Sequence, residues 1–266
     1  MPSSHGIDLP MSELLIVPAL LAYGEAAVAY AGELRGPGLA GRLATWGVRL
    51  GWVAQTVLLV SQATSAAGFP WGTWAGALNL FVWLVVGAYL IWGCRPRYRL
   101  LGLAVMPVAA ILLALAWVGG GTALEQRDDS GVVLATHVGL MLAGFASLTL
   151  SAGMAGLYVW QERRLKRHAR RVLRVRVPPL DALDRLAARG VLAGLGLLAL
   201  GIGAGASRFE RGDLDAAMVV TAAILVVYAA LLVLRHEGWR GRRAALLNLC
   251  GFTLVAVVLP LTHFAQ

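Results

Sequence analysis

The chain has 266 residues, 59% of them hydrophobic and only 14% charged, with a formal net charge of +9. At a mean hydropathy of +0.72 it holds too few polar side chains to cover a soluble globule, so it is expected to be a multi-pass protein of the cell membrane. Its basic residues fall in short gaps between apolar runs, which makes them orientation signals and membrane-lipid contacts rather than a nucleic-acid surface.

A helix crosses the hydrocarbon with about 20 apolar residues. Eight such spans are expected, near 13–32, 43–65, 72–93, 100–119, 132–160, 186–206, 215–234 and 245–264. The predicted fold class is therefore all-α: an integral membrane bundle of about eight transmembrane helices, in a single domain over residues 1–266. The segment before the first span carries His5 and Asp8 rather than Lys or Arg, so that span is expected to be retained and not cleaved as a signal peptide. Two ionisable groups lie inside spans, Glu25 in the first and Arg49 in the second. Their similar depth on adjacent antiparallel helices predicts an ion pair, because an unpaired charge at that depth is costly. Trp52, one turn from Arg49, is placed to add a cation–π contact.

The third span opens on Gly68-Phe69-Pro70-Trp71-Gly72-Thr73-Trp74 and runs on to Trp92. Trp71 and Trp74 read either as belt aromatics at a membrane boundary or as a platform for something flat. The fifth span is long and runs into a basic patch that includes Arg163, Arg164, Lys166, Arg167, Arg170 and Arg171. Such a patch lies against anionic head groups or binds an acidic cytoplasmic partner. Pro178-Pro179 stop that helix, and Asp181 is placed to cap the next, which leads into the sixth span. Glycines inside spans, such as Gly144, Gly194, Gly201 and Gly205, predict close helix packing.

Basic residues set the orientation. The gaps after the first, third, fifth and seventh spans hold Arg35 and Arg42, then Arg95, Arg97 and Arg99, then the Arg163–Arg189 cluster, then Arg235, Arg240, Arg242 and Arg243. The other gaps hold only Arg127, Arg208 and Arg211 among acidic residues. The arginine-rich gaps are thus expected to be cytoplasmic and both termini outside.

Cys94 and Cys250 form no CxxC pair, no serine or acid combines with a histidine near a nucleophile, and no glycine-rich phosphate loop follows a strand. The chain is not expected to be an enzyme. His137 at the outer start of the fifth span and His263 at the outer end of the eighth are different from the other histidines. Topology puts both imidazoles at one surface, as paired axial ligation of an iron porphyrin requires. The alternative is two interfacial imidazoles with unrelated hydrogen bonds. Besides haem iron, no metal is expected.

The segment Gly68-Phe69-Pro70, with Leu80-Phe81-Val82-Trp83-Leu84 nine residues further on, resembles the opening segment of cytochrome c assembly proteins of the CcsA type. His137-Val138-Gly139-Leu140-Met141-Leu142, Leu180-Asp181-Ala182-Leu183-Asp184-Arg185 and Gly238-Trp239-Arg240-Gly241-Arg242-Arg243-Ala244 resemble its later landmarks in order, with the best match over residues 43–266. That family binds haem in the membrane and presents it at the outer face beneath a tryptophan-rich WWD loop flanked by histidines. Between residues 206 and 215 this chain has no tryptophan, and Gln55 stands where the second matching span tends to carry a histidine. The pattern is similar to the smaller YpjD and HemX type.

The resemblance implies haem as cofactor, His137 and His263 as axial ligands, and Trp71, Trp74 and Met141 as platform. The function it implies is haem binding or presentation at the outer face, alongside other cytochrome c assembly proteins. The alternative is a membrane regulator or scaffold that acts through the cytoplasmic basic patch on an enzyme of tetrapyrrole synthesis.

Overall fold

In the computed structural model, which describes residues 15–33, 39–65, 70–92, 99–121, 131–167, 178–205 and 216–264, every regular element among the described residues is helical. A helix occupies each of the eight expected places: α1 Ile16–Glu33, α2 Leu39–Ser65, α3 Trp74–Trp92, α4 Arg99–Val118, α5 Val132–Arg167, α6 Leu180–Gly205, α7 Ala216–His236 and α8 Arg242–Phe264. A 3₁₀ turn, Pro70–Gly72, precedes α3. Among the described residues, α2 to α7 are each long and apolar enough to cross a membrane, and α1 holds a shorter apolar stretch, Ile16–Gly32. The chain is a multi-pass membrane protein.

The helices gather into two compact units, one of residues 1–90 and 102–130, the other of residues 91–101 and 131–266. In the first, α1 packs on α2. The buried side of α1 is Ile16, Ala19, Tyr23, Ala26 and Tyr30, at the three-to-four spacing that keeps residues on one helical face. Across from it, Gly51 leaves room for the Tyr23 ring, which a Cβ there would meet at 2.7 Å. The opposite faces carry Leu21, Val28, Leu50 and Val57, all exposed, as lipid-facing surface requires. Thr73 begins α3 by accepting the Gly76 amide at 3.0 Å, an N-cap.

In the second unit, α5 and α6 lie antiparallel with glycines on one helix receiving side chains from the other. A Cβ on Gly144 would meet Leu198 at 2.7 Å, and one on Gly194 would meet Leu148 at 2.8 Å. Small residues let the backbones approach, and two hydroxyls then reach across: Ser147 donates to the Gly190 carbonyl at 2.9 Å and Ser151 to the Ala187 carbonyl at 2.7 Å. Helix α8 also runs antiparallel to α5. Asn248 donates to Ser151 at 2.8 Å, Gly241 abuts the Tyr158 hydroxyl, and Arg242 lies 3.7 Å from Glu162.

The expected cap on the helix after Pro178-Pro179 is corrected. Asp181 lies inside the first turn of α6 and pairs with Arg185, while the Pro179 carbonyl accepts the amides of Ala182 and Leu183. The helix starts two residues earlier than the capping pattern implies, and it continues unbroken through to Gly205.

Candidate functional site

His137 stands in the second turn of α5, half-buried against α6. Its Nδ1 lies 2.6 Å from the Gly201 carbonyl oxygen. A carbonyl only accepts, so Nδ1 carries the proton, and the tautomer this selects has its lone pair on Nε2. This is the arrangement in which a backbone carbonyl fixes the tautomer and orientation of a metal-ligating histidine. Glycine makes the seat: a Cβ on Gly205 would lie 2.7 Å from Nδ1. One turn further on, Met141 packs on the same helix, its sulfur 2.9 Å from where a Cβ on Gly201 would be. Met141 is thus engaged in the α5–α6 contact and joins the core of this unit.

His263 falls in the last turn of α8, and its side chain lies outside the described residues. Its level is set by the backbone register. Counting from the Ser151–Asn248 contact, the antiparallel helices rise about 21 Å to His137 and about 23 Å to His263 at about 1.5 Å per residue. The fold therefore brings the two positions to the same end of this unit, although 126 residues separate them in sequence.

Trp71 and Trp74 belong to the first unit, where a glycine turn receives Trp74. A Cβ on Gly119 would meet the Trp74 ring at 2.5 Å, and one on Gly121 would meet the Ala75 carbonyl oxygen at 2.3 Å. Between them Gly120 has φ 78°, a left-handed conformation that glycine adopts without strain. Trp74 stays 49% exposed.

Beneath this turn lies a polar cluster that reading the sequence did not find. Tyr23 donates to Gln55 Oε1 at 2.8 Å. Gln55 Nε2 donates to the Asn79 side-chain oxygen at 2.9 Å and its carbonyl at 3.0 Å. Gln62 Nε2 donates to the Gly121 carbonyl at 3.1 Å. All four side chains are fully buried. The signal was present, since an amide inside an apolar helix must find a partner. Gln55, at the place where the resembling family tends to carry histidine, is committed on both its oxygen and its nitrogen.

The Glu25–Arg49 ion pair is corrected. Both side chains are exposed and no ion pair joins them. The helices do meet at that depth, but through Tyr23 and Ala26 against Gly47 and Gly51. Two residues turn a helix by about 200°, so both charges point away from the contact. Nor does Arg49 use Trp52. Its guanidinium lies 5.3 Å from the ring centroid of Trp46, in the direction a helical side chain leans. Trp52 instead stacks on Trp83 at 5.2 Å and donates to the Trp83 carbonyl.

Of the basic patch, Arg163 is exposed, Arg164 lies 5.1 Å over the Trp160 ring, and Lys166 pairs with Glu162 at 2.8 Å. The side chain of Arg167, and Arg170 and Arg171 entirely, lie outside the described residues. Among the described residues no cluster of histidine, cysteine, aspartate and glutamate could hold a metal ion.

Residues 71–264 match the sequence model of the family described as cytochrome C assembly protein. Protein HemX of Brevibacillus brevis is 27% identical over 193 residues, 70% of this chain and 71% of that one. The inner membrane protein YpjD of Escherichia coli strain K12 is 30% identical over 176 residues, 65% of either chain. No solved structure matches.

Proposed function

The chain belongs to the cytochrome C assembly protein family, and on that footing we propose that it binds haem at the outer membrane face, with His137 as an axial ligand, and holds or presents it during cytochrome c assembly. Membership of the family supports a haem-related function in the membrane. The observation that carries the specific reading is the 2.6 Å contact between His137 Nδ1 and the Gly201 carbonyl, which leaves Nε2 as the ligating atom. Haem supplies an iron that takes an imidazole nitrogen on each axial side. The residues of this chain fit that need on one side, where Gly201 orients the His137 ring and Gly205 admits it; His263, whose backbone lies at the same level, would supply the second imidazole. The arginine-rich gaps at the opposite end support the outer face as the side of this site. In this reading the protein is a carrier rather than an enzyme, working among membrane lipids and other cytochrome c assembly proteins.

The test is the absorption spectrum of protein purified from haem-replete cells, or titrated with haem. A bis-imidazole haem spectrum is expected, lost in His137→Ala and altered in His263→Ala. Protein that carries no haem and takes up none when it is added overturns the reading.

A further inference from the structure

At the arginine-rich end of the second unit, several charges already have partners. Lys166 pairs with Glu162, Arg242 lies near the same carboxylate, Arg185 pairs with Asp181, and Arg235 with Asp184. Two guanidinium groups are held differently. Arg164 lies 5.1 Å over the Trp160 ring and Arg243 lies 5.6 Å over the Trp239 ring, and among the described residues neither has a carboxylate partner.

Stacking on an aromatic face occupies the flat of a guanidinium and leaves its edge, where the N–H donors are, pointing outward. Both supporting tryptophans are themselves open, Trp160 at 42% and Trp239 at 39% exposure. Tryptophan exposed at the end of a membrane-spanning helix marks the level of the lipid head groups. The Tyr158–Gly241 approach and the Glu162–Arg242 contact bring the end of α5 and the α7–α8 turn to one level. Each arginine is therefore presented at the membrane surface with an unused bidentate fork.

We propose that the Trp160–Arg164 and Trp239–Arg243 pairs are binding sites for the phosphate groups of anionic phospholipids. A phosphate takes two parallel N–H donors from a guanidinium edge, and the indole beneath lies along the upper acyl chain. Of the described acids at this end, Glu162, Asp181 and Asp184 are already paired, and Glu237, exposed in the α7–α8 turn, forms no ion pair with either arginine.

The full chain, purified in detergent, is titrated with phosphatidylglycerol or phosphatidylcholine, and bound lipid is counted by native mass spectrometry. Phosphatidylglycerol is expected to bind in preference. Arg164→Gln and Arg243→Gln should each weaken it about fivefold, the lysine replacements less, and Arg185→Gln not at all. Helical circular dichroism keeps misfolded variants out of the comparison, and either Gln variant suffices if the other fails to fold. The proposal falls if both lipids bind equally, if the two Gln variants bind like the parent, or if Arg185→Gln loses as much. It also falls if polyglutamate binds the same two arginines more tightly than phosphatidylglycerol does, since that would make the surface a protein docking site.

Discussion

Arg235 and Asp184 form a forked pair, Nη1 to Oδ1 at 2.9 Å and Nη2 to Oδ2 at 2.5 Å, and the same Oδ1 accepts the Gly241 amide at 3.1 Å. One carboxylate thus ties the start of α6 to the end of α7 and to the turn before α8. With the Asp184 side chain only 10% and that of Arg235 17% exposed, the pair is largely withdrawn from solvent. Asp184→Leu strands the guanidinium and should cost about 3 kcal/mol. Replacing both by apolar residues, Asp184→Leu with Arg235→Met, should cost less than the single change. Denaturant unfolding of the four forms in one detergent gives the coupling directly, and additive costs would show that the pair is not a clamp.

Gly205 should be intolerant of a side chain. The Cβ of Gly205→Ala would lie 2.7 Å from His137 Nδ1, so the ring must leave the Gly201 carbonyl or the helices must part. Overpacking of this kind costs about 1–3 kcal/mol. If His137 holds haem through Nε2, the haem spectrum of Gly205→Ala should shift or vanish, whereas Gly203→Ala, with open space around it, should keep it.

The buried amides of the first unit should act as one group. Gln55→Leu leaves the Tyr23 hydroxyl and the Asn79 side chain each short of a partner, and should lower stability by roughly 2–4 kcal/mol. Tyr23→Phe, which strips one donor from the same cluster, should cost less. Thermal unfolding of the two variants ranks them, and a larger loss for Tyr23→Phe would contradict the hydrogen-bond assignment.

Glu25 and Arg49 should be energetically independent. Both point away from the α1–α2 contact, so the double change Glu25→Gln with Arg49→Gln should equal the sum of the single changes within about 0.5 kcal/mol. A coupling energy well above that would mean that the two charges do meet in the membrane.

Much of the candidate site was legible in the sequence, though not its geometry. His137 and His263 stood out because the count of spans puts the start of the fifth and the end of the eighth at one surface, and the register of α5 against α8 brings them to equal height. The Gly201 carbonyl under His137 was not legible, because a backbone acceptor has no signature of its own. Gln55, Gln62 and Asn79 were visible as amides in apolar runs, but which of them meet depends on how α2, α3 and the Gly119–Gly121 turn are rotated together.

What the sequence by itself determined was the class of structure: apolar runs of bilayer length can satisfy their backbone groups only as helices, and charge-rich gaps can lie only where water is. What only the tertiary structure decided was which faces of those helices meet. In lipid both sides of a helix are apolar, so hydropathy does not mark the packed face. Glu25 and Arg49 show the consequence, since they share a depth and miss each other. The packed face is set by small residues, and it took Gly47 and Gly51 against α1, and Gly201 and Gly205 against His137, to fix it.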